Sequence, residues 1–265
     1  MIRVPRRTML GTMLVAAATG LPRQALARTL TCGVMEAPPW HLPEDPKQGI
    51  ANEVIADLSR HSGFDIQSRP GPPIRLIMGI KSGQLDLIIF FELPELRDAA
   101  VPVGIFGYAD MGLVTRPGLR PQSADELAGC RIGVLRGNNR TDVTAKLPPS
   151  VTLVELRDLS LGLSMIMGGR LDGLIGTRLA LGWHMKQGGF SPQSVGSFFR
   201  LLREPIYLYL STIRQYEDGT LAQLQAGMRG MDRSLSRVTD YYWKGAGYVD
   251  PPPSDPINRR RPPPP

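Results

Sequence analysis

One phrase occurs twice in this chain. Gly83-Gln-Leu-Asp86 runs into the apolar stretch Leu-Ile-Ile-Phe-Phe91, and 86 residues later Gly169-Arg-Leu-Asp172 runs into Gly-Leu-Ile175. A glycine just past a helix takes the left-handed backbone conformation at little steric cost and so ends it. An unbroken apolar run behind the aspartate fits a strand covered on both faces. Each copy therefore predicts a helix end, a short link and a buried strand, the first over 86–91. Upstream of each copy, residues 30–35 (Leu-Thr-Cys-Gly-Val-Met) and 130–135 (Cys-Arg-Ile-Gly-Val-Leu) read as short apolar strands. Two similar α/β lobes follow. Asp86 and Asp172 are expected to bond backbone groups at their own turns.

Residues 36–48 carry four prolines, which keep them out of helix and sheet. Residues 51–62 predict a helix with Val54, Ile55 and Leu58 on one face and Gly63 as its stop. A strand over 64–69 and a helix from Pro73 to Gly83 complete β-α-β-α-β before residue 92. Right-handed crossovers make such a run a parallel sheet. Residues 111–117 read as a strand with a proline-bearing link, placing the first interlobe crossing near 114–118. Residues 131–135 open the second lobe, and 204–211 form a strand suited to carry the chain back. Residues 220–243 predict a long helix with Leu221, Leu224, Met228, Met231 and Leu235 as its core stripe. The proline-rich end with its three arginines predicts an extended, disordered tail.

Residues 1–27 read as an export segment. Arg3, Arg6 and Arg7 begin it, residues 9–21 are apolar, and Ala25-Leu26-Ala27 is a small-residue cleavage site. Thirteen apolar residues fall short of the roughly 17–25 of a membrane-spanning helix. Arg6-Arg7 followed by Thr8-Met9-Leu10 resembles a twin-arginine signal, and an ordinary secretory signal fits the same residues. Removing four arginines and no acid takes the formal charge from +7 to +3, which is no nucleic-acid footprint. The periplasm permits a disulfide. Cys32 and Cys130, however, fall in the strands that open the two lobes, so a bond between them would tie the lobes together; the other reading is two small buried side chains. His41, His61 and His184 have no second ligand at zinc spacing, and no metal or cofactor is expected.

Ala37-Pro-Pro-Trp40, Gly49-Ile50, Gly83-x-x-Asp86, Glu95-x-Arg97, Leu127-Ala-Gly-Cys-Arg-Ile-Gly-Val134 with Gly137, Gly169-x-x-Asp172 and Asp218-Gly-Thr220 follow one another in an order that resembles the periplasmic solute-binding proteins of the polar amino acid type. The resemblance covers about residues 28–245. It implies the bilobal type II periplasmic binding fold, each lobe a mostly parallel sheet flanked by helices, with two interlobe crossings. The division it suggests is 1–27 export segment, 28–116 with 205–248 first lobe, 117–204 second lobe and 249–265 tail.

The resemblance further implies that Trp40 stacks on a ligand and Arg97 clamps its carboxylate. A planar guanidinium suits that role, gripping a carboxylate through two parallel bonds. Trp40 also lies where ligands bind in open α/β sheets, beyond the carboxyl end of a strand, although it serves equally to pack its loop. In the second lobe Asn139 and Arg140 are candidates at a helix start, where Asn139 or Thr141 would also serve as caps. Three positions depart from the family. Pro94 stands where a threonine is frequent, Glu92 where a small hydroxyl residue is frequent, and Thr177 where an aspartate meets the ligand's ammonium. Glu92 either pairs with Arg97 or recognises a cationic or hydroxylated group. The expectation is a monomeric periplasmic receptor that closes on a small polar, anionic or zwitterionic solute and presents it to an ABC permease. The alternatives are an accessory or sensory protein without transport and a dehydratase-like enzyme, for which Glu92 and His41 are the acid and base to nominate.

Overall fold

The computed structural model describes residues 28–231, apart from positions 43, 46–48, 137–140, 191, 214–215 and 217–218. The export segment, Asn139, Arg140, the helix beyond residue 231 and the tail lie outside the described residues. In chain order the elements are β1 (Thr29–Met35), α1 (Ile50–Ser62), β2 (Asp65–Gly71), α2 (Pro73–Lys81), β3 (Leu87–Phe91) and β4 (Ala100–Thr115). They continue with β5 (Arg131–Leu135), α3 (Thr141–Thr144), β6 (Thr152–Leu156), α4 (Leu159–Met167), β7 (Gly173–Thr177), α5 (Arg178–Gln187), α6 (Pro192–Val195) and β8 (Phe198–Ser211). A last helix, α7, occupies 220–231.

The strand order β2-β1-β3-β8-β4-β7-β5-β6 has an internal symmetry. β1 lies parallel between β2 and β3, and β5 lies parallel between β6 and β7. β3 then pairs antiparallel with the end of β8, and β7 antiparallel with the end of β4. The long strands β4 and β8 pair with each other along their length and join the two halves. Val103, Phe106 and Ala109 of β4 belong to a core shared with β1, α1, β3 and α7, whereas Met111, Leu113 and Val114 belong to the cores around β5, β7 and α4. In β8, Phe198 to Leu202 pack on the second side and Ile206 to Leu210 on the first. The exchange of cores thus falls inside β4, between Ala109 and Met111, ahead of the 114–118 link that the proline suggested. The reason is that β4 begins at Ala100 and its second half is already paired with β7 in the second half of the sheet.

The repeated phrase is a clamp between strands. Asp86 donates its N–H to the Thr31 carbonyl (3.0 Å), and its carboxylate accepts from the Thr31 amide and hydroxyl, both at 2.7 Å. Asp172 repeats this on β5: its N–H reaches the Arg131 carbonyl (2.9 Å), and its carboxylate accepts from the Arg131 amide (2.9 Å) and from Arg116 Nε (3.0 Å). These bonds tie the start of each third strand to the first strand, where a local turn was expected. The helices before them end as predicted, with Gly83 at φ 72° and Gly169 at φ 64°.

Both cysteines are free thiols. By sheet register Cys32 answers to Ile132 and Cys130 to Leu30, since Cys32 pairs with Leu87 and Ile132 with Gly173. Burial, then the nearby Asp86 charge, pushes the Cys32 thiol well above its ordinary pKa. Burial and Asp172 do the same to Cys130 against the pull of Arg116. Neither is poised to react as a thiolate.

Candidate functional site

The carboxyl ends of the parallel strands are turned toward one short stretch of the β4–β8 ribbon. Phe91, which ends β3, pairs with Ile206, itself opposite Gly107; Thr177, which ends β7, pairs with Met111. Gly107 and Met111 are four residues apart on β4, or about 13 Å at the usual rise of an extended strand. Loops leaving β1 and β3 from one side and β7 from the other therefore meet at this stretch, where open α/β sheets place their ligands.

Trp40 stands on a turn closed by the His41 N–H bond to the Ala37 carbonyl (3.1 Å). The first amides of α1 bond back to that turn, Ile50 to the Pro39 carbonyl and Ala51 to the Trp40 carbonyl. Gly49 makes this approach feasible, because at φ 118° a Cβ there would lie 2.6 Å from the Trp40 carbonyl oxygen. The Trp40 ring packs against the first core and also lines an apolar hollow with Met35, Ala51, Ile89, Phe91 and Ile206. The packing reading of the tryptophan is thus observed, and its place beside the hollow leaves it positioned for ligand contact. His41 is 6% exposed.

Glu92 and Arg97 are exposed, and the side chain of neither makes a hydrogen bond or ion pair with a described residue. Arg97 closes the single turn Pro94–Leu96, its N–H bonded to the Pro94 carbonyl (3.2 Å). The pairing of Glu92 with Arg97 is therefore not formed, and a carboxylate and a guanidinium stand unpaired on one short loop. Thr177 caps α5, its hydroxyl accepting from the Ala180 N–H (3.1 Å). Its own proton stays available to donate.

Sequence reasoning passed over the aromatic face of the ribbon beside Glu92. Tyr207 pairs with Phe90 and Tyr209 with Ile88, so the two tyrosines and Phe90 point to one face, as does Tyr108, which pairs with Pro205. The rings of Tyr207 and Tyr209 lie 5.5 Å apart, and the Arg203 guanidinium sits 5.1 Å over the Tyr108 ring. Burial first, then the Glu92 charge, raises the pKa of both Tyr207 and Tyr209, so the carboxylate lies within electrostatic reach of each phenol. The alternation of aromatic residues in 205–211 was the available signal, and it reads equally well as a plain sheet strand.

No protein-family model and no curated protein sequence matches the chain. Solved structures do. The VFT2 domain of BvgS from Bordetella pertussis, as a double mutant, is 18% identical with a TM-score of 0.65, over 81% of this chain and 93% of that one. The GluR0 ligand-binding core in complex with L-glutamate is 17% identical with a TM-score of 0.65, over 83% of this chain and 99% of that one. An ancestral amino acid-binding protein, a precursor of cyclohexadienyl dehydratase, is 13% identical with a TM-score of 0.62, over 81% and 94%. At these identities the likeness is one of fold. The chain has the two-lobed type II periplasmic-binding-protein architecture, related to that of amino acid- and solute-binding proteins.

Proposed function

We propose that this chain is an exported solute-binding receptor that closes its lobes on a small polar solute bearing both an anionic and a cationic or hydroxylated group, and presents it to an ABC permease. The observation that carries the reading is the loop after β3, which holds Glu92 and Arg97 exposed and unpaired beside the ribbon where the strand ends converge. A solute with a single carboxylate would be drawn to Arg97 and repelled by Glu92; a zwitterion meets both. Trp40 offers an apolar wall, and Thr177 a hydroxyl from the second lobe. Binding without turnover is the favoured form, since His41 is buried and so is not presented to a solute as a base must be. The protein acts as a periplasmic monomer, with its N-terminus at Arg28 after cleavage.

Native mass spectrometry of gently purified protein identifies the co-purified solute, and calorimetric titration of that solute tests the site. Arg97→Ala is expected to weaken binding by about 1.5–3 kcal/mol, the range for hydrogen bonds to charged groups. Arg97→Lys recovers only part, because an ammonium lacks the bidentate fork. Unchanged affinity in Arg97→Ala removes the arginine from the site. N-terminal sequencing of secreted protein checks the export half, and an intact Met1 refutes it.

A further inference from the structure

The proposed function leaves the second charge of the solute open, and the ribbon face beside Glu92 bears on it. We propose that Glu92 with the half-buried ring of Tyr207, backed by the buried Tyr209, forms a subsite for an organic cation, so that the solute carries an ammonium or guanidinium group. The inference rests on the solute-binding reading and names the chemistry of one end of that solute.

The placement follows from strand register. Phe91 pairs with Ile206 at the end of β3, so Glu92 comes next to Pro205, and its diagonal neighbour on the same face is Tyr207. Tyr209 lies two residues further along β8, buried in the first core, and backs the Tyr207 ring at 5.5 Å with a tilt of 47°. No hydroxyl bond from either tyrosine to a described residue is formed, and Glu92 is without an ion-pair partner among them. The Glu92 charge is nonetheless felt at both phenols. A carboxylate beside an electron-rich ring face is a combination that holds alkylated ammonium and guanidinium groups, through charge at one side and the ring quadrupole at the other. Arg203, on the same face by register, has its guanidinium over Tyr108, one step further toward the second lobe. The same kind of contact therefore already occurs within the protein, at 5.1 Å. Arg97, on the loop that leaves β3, stands ready for the solute's anionic end.

The test uses probe pairs of equal shape and different charge: L-arginine with L-citrulline, L-lysine with L-norleucine, and choline with 3,3-dimethylbutan-1-ol. Each is titrated calorimetrically into the mature protein freed of bound solute. In at least one pair the cation is expected to bind tenfold or more tighter than its neutral partner. Glu92→Gln should abolish that ratio while leaving the neutral partner's affinity within twofold. Tyr207→Phe should keep most of the preference, since the ring face remains, and Tyr207→Leu should reduce it several-fold. Circular dichroism confirms that each variant is folded. Absence of any cation preference in the wild-type protein, or its survival in Glu92→Gln, overturns the subsite. If neutral or anionic probes bind well and draw the lobes together in X-ray scattering, the receptor reading stands and only the subsite falls. If no probe of any charge binds and the co-purified solute is absent as well, both fall.

Discussion

Asp86 and Asp172 show how much a single side chain can hold and why its partner was hard to foresee. Their sequence spacing places them before a strand, but the groups they bond belong to β1 and β5, 55 and 41 residues away. Only the sheet order, which sets β1 beside β3 and β5 beside β7, determines those partners. Asp86 is 1% exposed, so truncating it removes the charged acceptor of the Thr31 amide and leaves the Thr31 hydroxyl only the longer bond to the Gln84 carbonyl at 3.4 Å. Asp86→Ala is expected to destabilise the protein by about 3 kcal/mol in urea titrations. Asp172 is wetter, and its loss should matter less. Burial alone would raise the pKa of Asp172, but the Arg131 amide and the Arg116 and Arg131 guanidinium groups outweigh it and hold the carboxyl below the ordinary value. A depressed folded-state pKa contributes stability that is full above the unfolded value of about 3.9 and is lost as the pH falls through the folded one. The urea midpoints of wild type and Asp172→Asn should therefore converge below about pH 4. A gap that stays constant down to pH 2 would show that the charge is not its source.

At the scale of elements, what the sequence revealed were the strands buried on both faces. β3 is buried at every position and was read nearly to its ends. β6 is an edge strand with one buried residue in five, and its period was too weak to recognise. The early halves of β4 and β8 were missed for another reason. Pro102, Gly104 and Gly107 interrupt the first, Arg200 and Arg203 the second, and three register shifts spoil the alternation along their pairing. The strand glycines Gly33 and Gly133 were legible as an echo but not as packing devices. A Cβ at Gly33 would lie 2.6 Å from Leu85 Cδ1, and one at Gly133 2.9 Å from Leu171, the leucine that precedes the clamp aspartate in each copy. The repeated Leu-Asp pair thus couples close packing over β1 or β5 to the hydrogen-bonded clamp. Gly33→Ala and Gly133→Ala should each destabilise by about 1–3 kcal/mol through overpacking. Gly107→Ala, whose Cβ would meet nothing within 4 Å, should stay within about 0.5 kcal/mol. Thermal melts of the three variants separate these outcomes, and a Gly107 variant as damaged as the others would remove packing as the explanation.

At the scale of the molecule, the two halves share a ribbon while their cores are largely separate. The first core draws on 30–109 and 206–231, and the others on 111–202, with Leu179 of α5 packing across onto the first. A receptor that closes by bending its ribbon needs this arrangement, because each half must stay folded while the groups between them change neighbours. It also predicts that damage to one core remains local. Leu163 on α4 is fully buried among Leu156, Ile166, Leu174 and Leu181, far along the chain from β1 and β3. Leu163→Ala removes methyl groups from a packed interior and is expected to cost about 2–5 kcal/mol of the second half's stability. Native-state hydrogen exchange reads each half by itself. The amides of β5 and β7 should lose protection by up to that amount, those of β1 and β3 should keep theirs, and the β4–β8 ribbon should divide, with 111–115 following the second half and 100–107 the first. Equal loss of protection in β1 and β3 would mean that the chain unfolds as one cooperative body, and that bending at the ribbon has to break packing as well as move it.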